Sequence, residues 1–310
     1  MNTRATFVSP KQFDPNRTST RAVANVLDYP PRQSTSSRHP AASRAAPACR
    51  CQCLASNLGD GLDTGGLRLV VQRIAPVQPP AQGDLPEANY YEVLIRRLDE
   101  NGQFERPASF LPALEARRLA VKLDEWVIDT TLEHLASPQD GRQSHDRYSV
   151  NVSGQSMGDE TFLPHVVSKL ARTGIAAERL CFELTETTAI NNWRQTGLFM
   201  RTLRALGSRF SLDDFGTGYC SFAYLKRLPV DFLKIDGEFV RDLASDPMDF
   251  AMVKSINELA HILGKQTVAE YVESEEILDI LSQIGVDYAQ GYAIGRPLPM
   301  EHCKSQSVAA

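Results

Sequence analysis

The sequence predicts an α/β protein folded as a closed barrel, a (β/α)8 TIM-type barrel. Eight short strand-like runs follow residue 67, and amphipathic segments with apolar residues at steps of three and four separate most of them. Several of these runs also carry polar side chains at alternate positions, as strands facing a barrel axis do. An open doubly wound sheet is the structural alternative, but the chain has no GxGxxG fingerprint to support it.

Apolar and β-branched runs locate the strands in chain order. They are LRLVVQRI (67–74), YYEVLIRRL (90–98), RYSVNVS (147–153), LCFELTE (180–186), RFSLDDF (209–215), FLKIDGEFV (232–240), QTVAEYVE (266–273) and DYAQGYAIG (287–295). The helical segments between them include DEWVIDTTLEHL (124–135) and DFAMVKSINELAHIL (249–263). Strands that alternate with helices in this way favour a parallel barrel.

The residues before the barrel differ in composition from the rest. The stretch YPPRQSTSSRHPAASRAAPA (29–48) is rich in Ser, Pro, Arg and Ala, which is typical of disorder. It is Arg-rich and acid-poor, like an organelle transit segment, but shows no amphipathic helix. We therefore expect a disordered tail over 1–55, a barrel over 56–303 and a short tail over 304–310.

Charge and hydropathy restrict the function classes. Residues 1–53 hold seven Arg and one Lys against two Asp, a net +6, so the remainder carries −11 of a total of −5. An acidic body argues against a nucleic-acid polymer as partner, and a phosphate substrate would need a metal to offset the repulsion. No apolar run approaches the roughly 20 residues of a membrane span. We expect a cytoplasmic protein without a membrane span.

The six cysteines do not indicate a metal site. Three of them form CRCQC (Cys49, Cys51 and Cys53), a spacing that suits neither a zinc knuckle nor a zinc ribbon. The others are scattered, which fits reduced thiols in the cytosol.

Three successive strands place polar side chains where a buried strand should be apolar. Asn151, Glu183 and Asp213 alternate with apolar neighbours, so the apolar face can meet the helices while these three point to the barrel axis. Each residue alone is commonly explained by a local hydrogen bond or a turn. Their recurrence at successive strand ends, where barrel enzymes place their chemistry, predicts a site. Oxygen ligands favour Mg²⁺ or Mn²⁺ over zinc.

Two further strands extend this set. Lys234 alternates with Leu233 and Ile235 and should face inward, and a lysine inside a barrel is rarely buried without carboxylate partners. Glu270 is expected to face the same site. Glu186 and Glu273 each follow an inward-facing glutamate by three positions, so we expect them to support loops.

At this point the residues resemble the EAL domain, a family of cyclic di-GMP phosphodiesterases. The resemblance covers roughly 67–298 and rests on YEVLIR, SVNVS, FELTE, LDDFGTGYCSFAYLKRLPVDFLKID, VAEYVE and QGYAIGRPL, in the family's order and spacing. It implies a barrel whose first strand runs antiparallel to the others. It also implies metal-dependent hydrolysis of cyclic di-GMP to linear 5′-pGpG in bacterial signalling, at a site with two Mg²⁺ or Mn²⁺ ions.

The resemblance assigns roles residue by residue. The implied metal ligands are Glu92, Asn151, Glu183, Asp213, Asp214 and Glu270. Glu92, Lys234 and Glu270 would be catalytic, with Lys234 holding or activating the attacking water. The implied substrate contacts are Gln72, Arg96 and Gln290. Glu186 would brace the glycine loop after Asp214, and Glu273 would support the site nearby.

The chain departs from the family pattern in a few places. Val93 replaces the Ala of the Glu-Ala-Leu motif that names the family, which here begins at Glu92, and Cys220 replaces a common Ser. Tyr271 replaces the commoner Gly and should pack toward helices or line an edge. Residues before the barrel match neither a GGDEF nor a sensory domain, as in a truncated or rearranged descendant of a longer regulator. The alternatives are a catalytically silent cyclic di-GMP receptor or protein-interaction regulator, and an enzyme for another phosphate ester. The family's barrels commonly pair, so a homodimer is the assembly to test.

Overall fold

A computed structural model of the protein describes residues 66–78, 88–99, 101–137, 145–216 and 222–303. The expected tails over 1–55 and 304–310 lie outside the described residues. The same holds for Cys49, Cys51, Cys53 and Cys220. Among the helices that are described, none has the length and apolar character needed to cross a membrane.

Within these described ranges, ten strands form one sheet, and eight of them close into a barrel. The strands are β1 (Leu67–Pro76), β2 (Tyr90–Leu98), β3 (Phe104–Glu105), β4 (Arg147–Asn151), β5 (Leu180–Thr185), β6 (Arg209–Phe215), β7 (Phe232–Ile235), β8 (Gln266–Ala269), β9 (Tyr288–Gln290) and β10 (Leu298–Pro299). Pairing of β1 with both β2 and β9 closes the ring, and the two-residue strands β3 and β10 extend β2 and β1.

Helices follow most of the parallel strands. They are α1 (Leu111–Ala116), α2 (Ala120–Ala136), α3 (Gly154–Gly158), α4 (Phe162–Thr173), α5 (Glu186–Asn191), α6 (Trp193–Leu206), α7 (Phe222–Leu225), α8 (Gly237–Arg241), α9 (Pro247–Ile262) and α10 (Glu275–Ile284). The two helical segments read from the sequence, 124–135 and 249–263, correspond to α2 and α9.

The direction of the first strand confirms the expected barrel variant. β1 is antiparallel to β2 and to β9, whereas every other neighbouring pair in the ring is parallel. The carboxyl ends of seven strands therefore meet at one mouth of the barrel. Side chains at these ends are brought close together by topology alone.

The main core lies between the strands and the helices. The outward side chains include Val150 of β4 and Val152 just after it. Those of β5 and β6 include Phe182, Leu184 and Phe210, and all five are buried with apolar helix residues. This is the outward apolar face that the alternation predicted. The opposite face of these strands is thereby left for the barrel axis.

A second apolar cluster fills the barrel axis at the end opposite the mouth. It consists of Ile74, Tyr90, Cys181, Phe232, Val268 and Tyr288, all buried. The rings of Tyr90, Phe232 and Tyr288 pack against one another with centroids 5.6 to 6.3 Å apart. The interior beneath the mouth is thus packed with side chains, as expected for a small barrel. We call this cluster the floor.

Three strands are shorter than the corresponding sequence runs by four or more residues. The run 232–240 was expected to be one strand, but β7 ends at Ile235 and α8 begins at Gly237. Asp236 stops the strand because its carboxylate accepts a hydrogen bond from the Glu238 amide, capping the new helix. β8 ends at Ala269, and β9 covers only Tyr288–Gln290.

Candidate active site

Lys234 is the centre of a charged cluster at the mouth. Its ammonium lies 2.6 Å from Glu270, 2.8 Å from Glu183, 3.1 Å from Asp213 and 3.5 Å from Glu92. Only 1 % of the lysine side chain is exposed. These five side chains come from five strands or strand ends, so the topology gathers residues that are distant in sequence. The structure thus brings together four residues that were expected to face inward, Glu183, Asp213, Lys234 and Glu270, with Glu92 beside them.

The Lys234 charge is fixed by its neighbours. Burial alone would lower the pKa of Lys234, but Asp213, Glu183, Glu270 and Glu92 together raise it well above its ordinary value. The amine therefore stays protonated and donates hydrogen bonds rather than accepting a proton. One positive charge is set against four carboxyl groups, which leaves the cluster with an excess of acid.

Two of the carboxyl groups show the consequence of that excess. Burial raises the pKa of Glu183 to about 8, with Glu92 and Asp213 adding to the effect and Lys234 opposing it. Burial likewise raises the pKa of Glu270 to about 8, again against Lys234 and with Asp213 and Glu92. Both shifts reflect the cost of placing these carboxylates together in a buried site, and a bound cation would lower that cost.

Glu92 is held by two amides. The Asn151 amide donates to one of its oxygens at 2.8 Å, and the Gln290 amide donates to the other at 2.6 Å. Gln290 also contacts the Gln72 carbonyl oxygen at 3.3 Å, and Gln72 donates to the main-chain oxygen of Gly295 at 3.0 Å. These contacts join the naming-motif glutamate to two of the expected substrate-binding glutamines. Asn151 lies exposed at the mouth, whereas both glutamines are buried.

Asp214 follows Asp213 in an unusual conformation. Its φ is 55°, in the left-handed region that a non-glycine residue rarely adopts. Burial, followed by the charges of Asp213 and Asp236, raises the pKa of Asp214 to about 6. The left-handed turn lets adjacent carboxylates act at one place, although side chains normally alternate along a strand. Such strain is common at functional sites.

The donor set fits a hard divalent cation. Asp213, Asp214 and Glu270 each offer a carboxylate oxygen, and these atoms lie within 4.8 Å of one another. Within the described part of the chain, the buried Glu183 Oε1 has no hydrogen-bond partner. Such an atom is costly to bury, and a cation would satisfy it. Carboxylate and amide oxygens are the ligands that Mg²⁺ and Mn²⁺ prefer.

The remaining predicted residues lie around this cluster. Arg96 is half-buried and donates to the Ile95 carbonyl at 2.8 Å, and burial lowers the pKa of its guanidinium. Glu186 is buried at the start of α5, directly after β5. Glu273 is exposed, just before the Ser274 cap of α10. The glycine loop that Glu186 was expected to brace lies largely outside the described residues.

Four residues near the mouth were not predicted from the sequence, namely Asp236, Arg241, Tyr292 and Arg296. Asp236 lies close enough to Asp214 to raise its pKa, and the Asp-Gly step after a strand was the available signal. The Arg241 guanidinium lies over the Tyr271 ring, and that of Arg296 over the Tyr292 ring, each within 4.5 Å of the ring centroid. Sequence spacing gives no signal for the Arg241–Tyr271 pair, because the two residues come from different elements. It gives none for the Arg296–Tyr292 pair either.

Comparisons with known proteins agree with this architecture. The family model described as "EAL domain" matches residues 76–297. Cyclic di-GMP phosphodiesterase PdeB of Shewanella oneidensis is 44 % identical over 209 residues, which cover 67 % of this chain and 24 % of that protein. Cyclic di-GMP phosphodiesterase PdeF of Escherichia coli is 41 % identical over 211 residues, covering 68 % and 28 %. The chain therefore matches only about a quarter of the length of these relatives.

Solved structures extend the likeness to the fold. The PaMucR phosphodiesterase in complex with c-di-GMP has a TM-score of 0.71 and 33 % identity, covering 80 % of this chain and 98 % of that one. The FimX EAL domain from Pseudomonas aeruginosa bound to c-di-GMP has a TM-score of 0.70 and 29 % identity, covering 81 % and 97 %. Sequence match, barrel topology and the acidic mouth lead to one conclusion: this chain belongs to the EAL domain family.

Proposed function

We propose that this chain is a cyclic di-GMP phosphodiesterase that opens one phosphodiester bond to give linear 5′-pGpG, with two Mg²⁺ or Mn²⁺ ions. One observation carries the proposal: five carboxyl groups and Asn151 surround Lys234 or adjoin it at the mouth of the barrel. The substrate is inferred from the relatives that are named cyclic di-GMP phosphodiesterases.

The residues that would hold the cations follow from the donor set. Asp213, Asp214 and Glu270 would hold one cation. Glu92, Asn151 and Glu183 would hold the second cation, with Asp213 as a shared ligand. When bound, divalent cations activate water as a nucleophile, stabilise the leaving oxygen and offset the repulsion between an acidic mouth and an anionic substrate.

The other side chains have roles that follow from their own contacts. Lys234 contacts Glu183 and Glu270, so it holds both carboxylates in place and can donate a hydrogen bond to the attacking water. Arg96 can make a charge-assisted contact to a phosphate oxygen. Gln290 fixes Glu92 and contacts Gln72, and both glutamine amides would contact the substrate. Glu186 and Glu273 would support the loops beside the site.

The test is direct. The purified chain is incubated with cyclic di-GMP in the presence of Mg²⁺, Mn²⁺ or EDTA, and the nucleotides are separated by chromatography. We expect pGpG in both metal samples and none with EDTA. Binding of cyclic di-GMP without turnover would instead identify a receptor, and turnover of other phosphodiesters alone would identify a different substrate. Light scattering of the same sample tests the expected homodimer, and cell fractionation tests the expected cytoplasmic location.

A further inference from the structure

Tyr271 is the residue of the mouth whose conformation is hardest to explain by packing. It directly follows Glu270, whose carboxylate contacts Lys234 at 2.6 Å, so it stands at the edge of the charged cluster. Its φ is 54°, in the left-handed region, where a bulky side chain is an outlier. A conformation of this kind costs on the order of 1–3 kcal/mol. Nevertheless, half of this residue is exposed, so burial of the ring does not repay that cost in full.

The ring is held in one orientation by a single helix. A Cβ placed on Gly237 would fall 2.1 Å from the Tyr271 Cδ2 atom, so the ring lies directly against the main chain of that glycine. Arg241 is one turn further along α8, and its guanidinium lies 4.1 Å from the ring centroid. Residues four apart share a helix face, so Gly237 and Arg241 support the ring from the same side. The rest of the ring is turned to solvent.

The surroundings of the ring indicate what that open surface can bind. The side chains of Tyr271 and Tyr292 both lie within electrostatic range of the Arg96 guanidinium, so the three share one region of the mouth. Arg96 is the residue that can contact a phosphate oxygen. A flat aromatic surface beside a phosphate-binding arginine is suited to a nucleotide, whose base can stack while its phosphate is held.

We propose that Tyr271 is a substrate-binding residue that stacks on one purine base of the substrate. This inference rests on the proposed function, since it takes cyclic di-GMP as the ligand. Arg241 and Gly237 keep the ring in place before the base arrives, so little side-chain freedom is lost on binding. Base–aromatic stacking is worth roughly 1–3 kcal/mol per base.

The experiment compares three side chains at position 271 that share the same backbone demand. Tyr271→Phe keeps the ring, whereas Tyr271→Leu keeps bulk and left-handed strain but removes the π surface. KM and kcat for cyclic di-GMP are measured for the wild type and both variants, with thermal unfolding to check folding. We expect Tyr271→Phe within about twofold of the wild type, and a KM about 10-fold higher for Tyr271→Leu, from the stacking energy. kcat should change by less than about threefold, because stacking acts equally on bound substrate and transition state.

A second variant moves the ring without changing it. Gly237→Ala places a methyl group against the ring and should displace it, so KM should rise while kcat holds. The proposal is overturned if Tyr271→Leu lowers kcat at unchanged KM, which would mean that the residue acts through Glu270. It is also overturned if Leu and Phe behave alike. If the wild type shows no turnover, the proposed function fails. Equilibrium binding of cyclic di-GMP to the same variants then decides the role of Tyr271.

Discussion

Lys234 shows how one residue can make an otherwise unstable cluster possible. Its ammonium contacts four carboxyl groups from β2, β5, β6 and the end of β8, and it is almost completely buried. A buried charge without partners would cost several kcal/mol, and without the lysine these carboxyl groups would lose the positive charge that they share. Lys234 therefore serves the fold as well as the site.

Replacing this lysine should destabilise the protein in a metal-dependent way. We expect Lys234→Met to lower the free energy of unfolding by about 3 kcal/mol or more in EDTA, because it leaves buried carboxylates unpaired. Added Mg²⁺ should restore part of the loss, since a cation then supplies the missing charge. Urea unfolding measures both values. Lys254→Met, at an exposed lysine, is the control and should change stability by less than about 0.5 kcal/mol. Equal stability of both variants in EDTA would contradict this account.

A carboxylate at the site and one away from it should differ in their effect on catalysis. Asp213→Asn removes a charge that contacts Lys234 and faces the cluster, so we expect hydrolysis of cyclic di-GMP to fall by at least about 100-fold. Asp242→Asn changes an exposed residue after α8 and should stay within about twofold of the wild type. Steady-state rates of the two variants provide the check, and similar rates would refute the assignment of the site.

At this scale the sequence predicted directions better than conformations. Alternation along three strands was enough to point Asn151, Glu183 and Asp213 inward, because the period of a strand fixes the face. Lys234 followed from the same rule. The left-handed turns at Asp214 and Tyr271 were not predicted, since they break that period and neither residue is glycine. The role of Glu92 came from the family resemblance alone.

Among the elements, helix α2 has an unexpected link to the site. The buried Asp124 carboxylate accepts hydrogen bonds from the Ser153 amide at 2.8 Å and the Ser156 hydroxyl at 2.6 Å. Ser153 caps α3, two residues after Asn151. One carboxyl group on α2 thus fixes the turn that follows a site-bearing strand. Burial raises the pKa of Asp124 to about 6, while its hydrogen bonds from Ser156 and Ser153 oppose that rise.

This raised pKa predicts a pH dependence of stability. Because the folded protein binds the Asp124 proton more tightly than the unfolded chain, the stability from this group is complete below about pH 4 and is lost as pH rises through 6. The wild type should therefore lose stability relative to Asp124→Asn between pH 4 and 7, by up to about 3 kcal/mol. Urea unfolding of both proteins across this range measures the difference. The prediction fails if the difference does not vary with pH.

Element types were easier to predict than element ends. The period of apolar residues identified the barrel strands and located α2 and α9, because burial of one face imposes that period. The ends of β7 and β8 were wrong by several residues, since apolar residues continue into α8 and into the turn at Tyr271. The reversed direction of β1 followed from the resemblance, because strand direction leaves no mark on periodicity.

For the molecule as a whole, the excess of acid at the mouth predicts stabilisation by metal. A ligand that binds only the folded state at 100 times its Kd adds about 2.7 kcal/mol. We therefore expect saturating Mg²⁺ or Mn²⁺ to raise Tm by several degrees over EDTA. Asp213→Asn should lose most of this rise, whereas Asp242→Asn should keep it. Differential scanning calorimetry gives the values, and an equal rise in both variants would place the binding elsewhere.

The packed floor of the barrel has a kinetic consequence. Tyr90, Phe232 and Tyr288 close the axis beneath the charged cluster, so, among the described residues, the barrel axis offers no second route to the site. Substrate and product therefore use the same opening, and a product must leave before the next substrate binds. The site therefore holds one substrate or product molecule at a time. A product that leaves slowly will act as a competitive inhibitor of substrate binding.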